Sequence, residues 1–340
     1  MSSRSFFAAD FLMWVVWVGL FGVGMCLADE VPKASGKMVD LGGHRLHVNC
    51  VGRGSPTVVV ENGLGDFSFD WVLVQTRVAR FARICTYDRA GYAWSEPGPK
   101  PRTFAQLNLE LRDALKKLGE TGPFVLVGHS FGGPVVRNFA ATYPREVAGM
   151  VLVDAAFEGQ RVEIGGGKTI RLGDGAKGLP IPEPREEMKD SDRVETHDAV
   201  ARRGTLDPMY NPLPVVDRQM QVWAQSLTNT DFAEASQREW SDEYFKKWLA
   251  EPQAGGLGVI PLIVLARAEG GFGDDLDVPA VELEAERKAG QAMLARLSTE
   301  GKLVMVRSGH NMELEAPDDV AGAIREVVLA VRRGDARPKA

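Results

Sequence analysis

Cysteine is scarce in this chain, with three residues among 340, and no two of them form a C-x-x-C pair. Three cysteines are too few for a disulfide-rich scaffold or a cysteine-based zinc site, and we expect no metal. Basic charge is not in excess either, since 40 Lys and Arg face 46 Asp and Glu, which gives a net charge of −6. Without clustered cations to neutralise phosphates, we expect no nucleic-acid partner.

Charge is missing altogether from one segment near the N-terminus. Residues 11–28 are apolar and uncharged, with Arg4 before them and Asp29 after them. This pattern predicts either a cleaved export signal or an uncleaved anchor that attaches the protein to a membrane. A lipid-modified Cys26 or a buried core helix fits the segment less well. We therefore assign residues 1–28 to targeting and expect the rest of the chain to be exported, to the periplasm or the extracellular space, or anchored at the membrane.

Hydrophobic residues make up 44% of the chain and charged residues 25%, as in ordinary globular proteins. From residue 38, short β-branched runs alternate with helical patterns, which predicts a mostly parallel sheet covered by helices on both sides. The clearest helices are expected at 103–119, which opens on a capping-box pattern, and at 317–334. The predicted strands are residues 44–51, 57–61, 83–87, 124–127, 150–154, 261–266 and 302–306.

The alternation of strands and helices stops in the middle of the chain. Glycine and proline are frequent after residue 164, and helical patterns follow around residues 216–227 and 240–248. We interpret this insertion as a helical cap. The predicted organisation is a core at 38–156, a cap at 157–259 and the second part of the core at 260–334.

The most informative stretch is F-V-L-V-G-H-S-F-G-G at residues 124–133. An apolar strand pattern runs into G-x-S-x-G and then into a helical pattern, which is the context that a nucleophile elbow requires. Small residues at Gly128 and Gly132 let the strand and the helix approach closely. The turn exposes the Ser130 hydroxyl at a helix N-terminus, where backbone N–H groups face developing negative charge. The pattern predicts Ser130 as a nucleophile.

A serine hydroxyl needs a base that removes its proton, and we expect that base to be a histidine. His197 and His310 are the two histidines that follow Ser130, in the order Ser, acid, His that accompanies such an elbow. His310 comes directly after a predicted strand and before the last helix, whereas His197 lies in the charged insertion. We predict His310 as the general base.

Three stretches together resemble the α/β-hydrolase superfamily, and in particular its serine esterase-like members. They are V-V-V-E-N-G-L-G at 58–65, Y-D-R-A-G-Y-A-W-S at 87–95 and V-L-V-G-H-S-F-G-G at 125–133. The resemblance covers essentially the whole chain after its N-terminal segment. It implies an α/β-hydrolase fold: an eight-stranded, mostly parallel sheet with helices on both faces and a helical cap inserted after strand six. It implies no cofactor.

The resemblance also implies an oxyanion hole formed by the backbone N–H groups of Leu64 and Phe131. Glu61 and Asn62 stand where many members have His-Gly, so they are open to a functional or a loop-bracing role. The pair at residues 88–89 is expected to brace the loop after the fourth strand.

The triad acid is less evident, because many relatives carry G-x-x-D after the seventh strand and Gly270 occupies the expected acid position here. Asp154, after the sixth strand, is the acid that we prefer, and Glu269 is the alternative. The acid is expected to hold His310 in the right tautomer. The remaining candidates are Asp274, Asp275 and Asp277.

The same fold would place Cys50 and Cys85 on neighbouring strands, where they would form either a disulfide or two buried thiols. For substrate binding we name Phe67 and Trp71, just after the oxyanion loop, and Trp223 in the insertion. Such insertion aromatics also fit the core of a cap. The weaker candidates there are Trp240, Tyr244, Phe245 and Trp248.

Together these features predict a metal-independent serine hydrolase, a carboxylesterase, that cleaves a small-molecule ester through an acyl-enzyme on Ser130. Acyl transfer or amide hydrolysis by the same triad is the alternative within enzymes. The alternative of another class is a non-catalytic protein that binds a hydrophobic ligand. Haloalkane dehalogenases and epoxide hydrolases place Asp where Ser130 stands. The oligomeric state stays open.

Overall fold

The computed structural model describes residues 31–163, 169–171, 206–227, 256–268 and 280–334. The chain divides into two compact units, Met1–Val31 and Pro32–Ala340. The first lies almost wholly outside the described residues, and everything below concerns the second. No helix in the described ranges is long and apolar enough to cross a membrane. The predicted targeting segment, residues 1–28, falls outside those ranges and stays a prediction.

Eight strands form the central sheet, and two short strands pair separately. The strands are β1 (Lys37–Asp40), β2 (Arg45–Val51), β3 (Val58–Glu61), β4 (Ile84–Tyr87), β5 (Phe124–His129), β6 (Val147–Val153), β7 (Arg161–Glu163), β8 (Thr169–Arg171), β9 (Leu262–Arg267) and β10 (Gly301–Val306). The sheet order is β1-β2-β4-β3-β5-β6-β9-β10. Only the pairs β1–β2 and β2–β4 are antiparallel in this sheet. The predicted eight-stranded, mostly parallel sheet is confirmed.

Helices cover both faces of the sheet. The α-helices of the described residues are α1 (Val72–Val78), α2 (Phe104–Lys117), α3 (Gly132–Thr142), α4 (Val215–Leu227), α5 (Ala280–Ala295), α6 (Met312–Glu315) and α7 (Pro317–Arg333). The described ranges also contain three short 3₁₀ helices, at Ser68–Trp71, Pro144–Glu146 and Pro208–Tyr210.

The strands present alternate residues to the two helical layers, because successive side chains of a strand point to opposite faces. In β3, Val59 is buried with residues of α2, α3 and α5. Val58 and Val60 are buried with residues of α1, α6 and α7 on the other face. These apolar clusters hold the carboxyl ends of the parallel strands in one row, where the chemically informative side chains lie.

Both helices that the sequence indicated most clearly are present. The Thr103 side chain accepts a hydrogen bond from the backbone N–H of Gln106 at 3.2 Å and so caps α2. The second half of the expected capping box is not formed, since the Gln106 side chain donates to Glu110 instead. At the other end of the chain, α7 stops at Gly334, whose φ of +83° favours glycine.

The sequence patterns missed several elements. Strand β1 escaped because only Val39 of its four residues is buried, so it shows no apolar run. Helices α1 and α5 were not predicted, and neither was the antiparallel pair β7–β8 within the insertion. The expected helix around 216–227 is present as α4. The helix expected at 240–248 lies outside the described residues, and the cap as a whole stays a prediction.

Cys50 and Cys85 face each other across the antiparallel pair β2–β4. Their sulfur atoms are bonded at 2.05 Å. Of the two alternatives open from the sequence, the structure shows the disulfide.

Candidate active site

The predicted nucleophile stands on a strained turn between β5 and α3. Ser130 has a φ of +48°, a conformation that a non-glycine residue seldom adopts. A Cβ on Gly128 would lie 2.6 Å from the carbonyl oxygen of Gly132, and a Cβ on Gly132 would overlap the carbonyl oxygen of Glu61. Only glycine therefore lets β3, β5 and α3 come this close, and the turn pushes Ser130 outward.

His310 lies in the loop between β10 and α6, and Asp154 follows the last residue of β6. The Nδ1 atom of His310 is 2.6 Å from Oδ2 of Asp154. The carboxyl group is buried, whereas the imidazole is 40% exposed. Asp154 itself has a φ of +38°, which turns the chain away at the strand end. The structure thus brings the preferred acid to the predicted base.

Two arginines accompany Asp154 and were not foreseen. Arg267, the last residue of β9, hydrogen-bonds to Oδ2 of Asp154, and Arg287 of α5 approaches Oδ1 at 3.6 Å. Burial alone would raise the pKa of Asp154. The hydrogen bond and charge of His310, together with the two guanidinium charges, outweigh burial and lower that pKa below its usual value. The carboxylate is therefore ionised when it faces the imidazole.

The loop after β3 carries the first predicted oxyanion donor. Leu64 lines the same cavity as Ser130 and His310. Within the described part of the chain, no acceptor pairs with its backbone N–H. The second predicted donor, Phe131, follows Ser130 directly and sits at the start of α3. Its ring is buried and packs against Phe104, with centroids 5.6 Å apart.

Glu61 and Asn62 brace this loop. Arg89 donates to Glu61 at 3.0 Å and to the carbonyl oxygens of Asn62 and Gly63 at 2.8 and 2.7 Å. The Asn62 side chain in turn donates to the carbonyl oxygen of Tyr87 at 2.7 Å. Of the two roles left open by the sequence, these contacts favour loop bracing.

Asp88 braces a neighbouring part of the same region. Its carboxylate contacts Nδ1 of His47 at 2.7 Å and accepts the Ser68 backbone N–H at 2.7 Å. The expected bracing role of residues 88–89 agrees with these contacts.

A cavity of about 450 Å³ opens over the elbow. Its floor is formed by the oxyanion loop, residues 63–66, together with His129, Ser130 and His310. The remaining described residues on its wall are Met209, Tyr210, Gln225 and Asn311. The predicted nucleophile, the predicted base and an unpaired loop N–H thus line one space large enough for a small molecule.

Comparison with known families agrees with this geometry. Residues 58–323 match the family described as the alpha/beta hydrolase family, which is well over half of the chain. The chain belongs to that family. The fold of this alpha/beta hydrolase is also found in solved structures of hydrolases. An enol-lactonase from Burkholderia xenovorans has a TM-score of 0.59 at 18% identity and covers 86% of this chain and 100% of the lactonase.

Two further solved structures are similar. A thermophilic esterase from Thermogutta terrifontis has a TM-score of 0.55 at 22% identity, covering 88% of this alpha/beta hydrolase and 99% of the esterase. An epoxide hydrolase from Solanum tuberosum has a TM-score of 0.62 at 15% identity, and the match covers 87% of this chain and 99% of the epoxide hydrolase. At these identities the likeness shows the fold alone.

Curated relatives share only part of the alpha/beta hydrolase chain. A probable transporter from Hormonema carpetanum is 33% identical over 137 residues, which is 38% of this chain and 20% of that protein. An uncharacterized protein from Bacillus subtilis, YbdG, is 29% identical over 132 residues, covering 38% of this chain and 41% of its own. The chain spans less than half the length of these curated relatives.

His129, the variable position of the elbow motif, forms a bridge under the site. Its Nδ1 lies 2.7 Å from Oδ2 of Asp66, and its Nε2 lies 3.1 Å from the backbone carbonyl oxygen of His310. Both partners are acceptors, so both ring nitrogens must carry protons and the imidazole must be positive. Because Oδ2 of Asp66 also accepts the Gly63 N–H at 2.9 Å, His129 links the oxyanion loop to the loop of the predicted base.

Buried acids surround this imidazolium. Burial opposes the charged form of His129, but the charges of Glu313 and Asp66, with the hydrogen bonds to Asp66 and to the His310 backbone, raise its pKa to about 10. Burial raises the pKa of Glu313 to about 7 despite the attraction of His129. Burial and the nearby Asp66 also raise the pKa of Asp70 well above its usual value, which favours a neutral carboxyl.

The bridge predicts a pH-dependent stability. Between pH 6.5, the ordinary pKa, and about 10, the folded protein holds a proton on His129 that the unfolded chain has released. The stabilisation is therefore complete below the lower value and is lost as pH rises through the upper one. The free energy of unfolding of wild type minus that of His129→Asn is expected to fall by about 4 kcal/mol across this interval.

Urea unfolding curves of both proteins near pH 6 and near pH 10 measure that difference. Lysines and tyrosines titrate alike in the two proteins, so their contributions cancel, whereas Glu313, whose pKa responds to His129, is part of the difference. A constant difference at both pH values would mean that His129 is not the charged bridge.

The aromatic residues proposed for substrate contact lie behind the cavity wall. Phe67, with 1% exposure, stacks on Phe69 at 5.2 Å, and Trp223 packs against Trp94 at 5.0 Å. Trp71 is wholly buried and packs edge-on against the His129 ring, with centroids 6.3 Å apart. None of the three is among the described wall residues of the cavity.

Several candidates fall outside the described residues. They are Glu269, Asp274, Asp275, Asp277, Trp240, Tyr244, Phe245, Trp248 and His197. The residues that the sequence missed are Asp66, Arg267, Arg287, Glu313 and the bridging role of His129. The one local signal was Arg267, a charge at the end of the apolar strand L-I-V-L-A-R.

Proposed function

We propose that this alpha/beta hydrolase cleaves carboxylic esters through an acyl-enzyme on Ser130. The observation that carries the proposal is the arrangement of the base. Nδ1 of His310 faces the buried carboxylate of Asp154, so the lone pair of Nε2 stays free to accept a proton. The imidazole lines the same cavity as Ser130, the serine on the strained turn. In this tautomer the ring is ready to accept the serine proton.

The reaction then follows from the positions of the groups. The Ser130 oxygen attacks the ester carbonyl carbon while Nε2 of His310 takes its proton, and Asp154 stabilises the resulting imidazolium. The N–H groups of Leu64 and Phe131 hold the oxyanion, each donor contributing roughly 3–4 kcal/mol in the transition state. His310 next gives the proton to the leaving alcohol oxygen as its bond to carbon breaks. Water then attacks the acyl carbon while His310 takes its proton, and His310 returns that proton to the Ser130 oxygen as its bond to the acyl carbon breaks and the carboxylic acid leaves.

Serine at the nucleophile position supports ester cleavage over epoxide opening. Relatives with epoxide hydrolase or haloalkane dehalogenase chemistry place Asp where Ser130 stands. Transfer of the acyl group to an alcohol or amine uses the same groups and is distinguished by adding acceptor alcohols and comparing transfer with hydrolysis.

We further propose that the chain acts outside the cytoplasm, with residues 1–28 as an export signal or membrane anchor. The Cys50–Cys85 disulfide supports this location, since such bonds persist in oxidising compartments. Edman sequencing of protein expressed in a secreting host separates a cleaved signal from an anchor.

A fluorophosphonate tests the proposal without assuming a substrate, because it reacts with activated serines. We expect the intact mass of the full-length protein to show one adduct, which Ser130→Ala and His310→Ala both abolish. Ser68→Ala serves as the matched control: Ser68 lies 3.4 Å from His47 and 3.2 Å from Asp88 but is buried and off the cavity. Its adduct is expected to remain. A folded wild type without adduct would refute the activated serine and favour the ligand-binding alternative.

A further inference from the structure

Two amide side chains on the cavity wall have a carbonyl oxygen free to accept a hydrogen bond. Gln225 donates its amide nitrogen to Gln221 at 3.1 Å, and Asn311 directs its own at the sulfur of Met209 at 3.3 Å. Their carbonyl oxygens, Oε1 of Gln225 and Oδ1 of Asn311, have no hydrogen bond in the described structure. A molecule in the cavity therefore meets two amide oxygens that are free to accept a hydrogen bond.

Asp66, on the floor of the cavity, adds a charged acceptor to its lining. Its Oδ2 is fully engaged by the Gly63 N–H and by Nδ1 of His129. No partner in the described ranges reaches Oδ1, while the side chain is 17% exposed and lines the cavity. Burial would raise the pKa of Asp66, but the charge and hydrogen bond of His129, with the charges of His310 and Arg89, lower it. The free oxygen thus belongs to an ionised carboxylate.

The cation nearest to this carboxylate in the described lining, the His129 imidazolium, bonds Oδ2 and leaves Oδ1 to the cavity. If an apolar ligand displaces water from Oδ1, this oxygen is left without a donor, which costs binding energy. A ligand that brings its own N–H or O–H replaces the lost water. The wall is therefore complementary to a hydrogen-bond donor.

We propose that the substrate ester carries a hydroxyl or ammonium group near its carbonyl, and that Asp66 recognises this donor. Asp66 is two residues from Leu64, whose N–H would hold the carbonyl oxygen, so the donor belongs within a few bonds of the reacting carbon. The proposal rests on the ester hydrolysis proposed above. It makes Asp66 a specificity-determining residue and the substrate a small polar ester.

Three ethyl esters of equal size test the proposal: those of propionic acid, glycolic acid and glycine. They differ only in whether CH₃, OH or NH₃⁺ ends the acyl group. Asp66→Asn keeps an oxygen for Gly63 and His129 and presents an NH₂ donor to the cavity in place of Oδ1. The ratio of kcat/KM for glycolate or glycinate over propionate is expected to be about 10- to 100-fold higher in wild type than in Asp66→Asn.

Comparing ratios between the two proteins cancels the intrinsic reactivity of each ester. Asp70→Asn is the matched control, because its carboxyl group is buried off the cavity against Phe67 and Gln221. It is expected to keep the wild-type ratio. A larger change for glycinate than for glycolate assigns the ammonium as the preferred donor, and the reverse assigns the hydroxyl.

Propyl acetate and ethylene glycol monoacetate repeat the comparison on the alcohol side of the ester. A ratio that depends on Asp66 on either side supports the proposal and identifies the side. Equal ratios in wild type and Asp66→Asn on both sides overturn it.

Binding to Ser130→Ala separates this proposal from the proposed function. NMR titration of that protein with ethyl glycolate and ethyl propionate requires no catalysis. Tighter binding of the glycolate that disappears in Ser130→Ala/Asp66→Asn supports donor recognition even if the wild type cleaves no ester. If the wild type does cleave esters but the two esters bind Ser130→Ala equally, donor recognition is refuted and hydrolysis is left standing.

Discussion

Replacing Ser130 with alanine is expected to lower kcat for ester hydrolysis by about 10⁶-fold. Without the hydroxyl no acyl-enzyme forms, and only the oxyanion donors and substrate positioning remain. The rate of acid release from ethyl acetate, followed by pH-stat, measures the loss. Activity within tenfold of wild type would exclude Ser130 as the nucleophile.

Ser130→Gly distinguishes loss of chemistry from loss of folding. Glycine adopts a φ of +48° without the steric cost that serine meets there. We expect Ser130→Gly to be as inactive as the alanine variant yet about 1 kcal/mol more stable than wild type. Thermal unfolding of the two variants and wild type provides the comparison.

Asp154→Asn is expected to lower kcat by about 10⁴-fold, because an amide holds the imidazole in the wrong tautomer. Nδ1 of His310 lies 2.6 Å from the carboxylate and would have to accept a proton from the amide instead of donating one. The matched control is Glu269→Gln, the alternative acid, which should stay within a few-fold of wild type. A large loss in Glu269→Gln and a small one in Asp154→Asn would reverse the assignment.

The same substitution also removes the counter-charge of two arginines. Arg267 and Arg287 would then be buried with one carboxylate fewer, at a cost to the folded state. The kinetics are therefore measured well below the unfolding midpoint of Asp154→Asn. Arg267→Met in that background is expected to restore stability without restoring activity, which separates the two effects.

Local patterns in the sequence were enough to predict seven of the eight strands of the central sheet, and the elbow. Buried strands such as V-L-V-G-H and V-A-G-M-V-L-V are continuous apolar runs, and the glycines of the elbow follow directly from how closely β5 and α3 approach. A short-range pattern alone does not give the order of the strands in the sheet. That order came from the family resemblance, and the structure agrees with it.

The acid and its surroundings depend on contacts between distant parts of the chain. Asp154 and His310 are 156 residues apart, and Arg267 joins them from a third strand. The bridge through His129 likewise connects residues 63 and 181 positions away. Helical or strand periodicity carries no information on such pairings, so the acid was left with several candidates and the bridge was missed.

Aromatic residues illustrate the opposite error. Phe67, Trp71 and Trp223 attract notice in the sequence because large rings suit an apolar pocket. In the structure all three are nearly inaccessible: Phe67 and Trp223 pack together in one apolar cluster, and Trp71 is buried with residues of α1, α6 and α7 in another. The smaller polar residues Asp66 and Gln225 face the cavity instead.

The glycines under the site restrict how this enzyme can be diversified. A Cβ on Gly63 would overlap Oδ2 of Asp66, and those on Gly128 and Gly132 would collide with backbone oxygens. Substitutions at these three glycines are therefore expected to disrupt the fold of the site rather than to change its specificity. A combinatorial library directed at new substrates belongs on Met209, Tyr210, Gln225 and Asn311, whose side chains can be exchanged without moving the sheet.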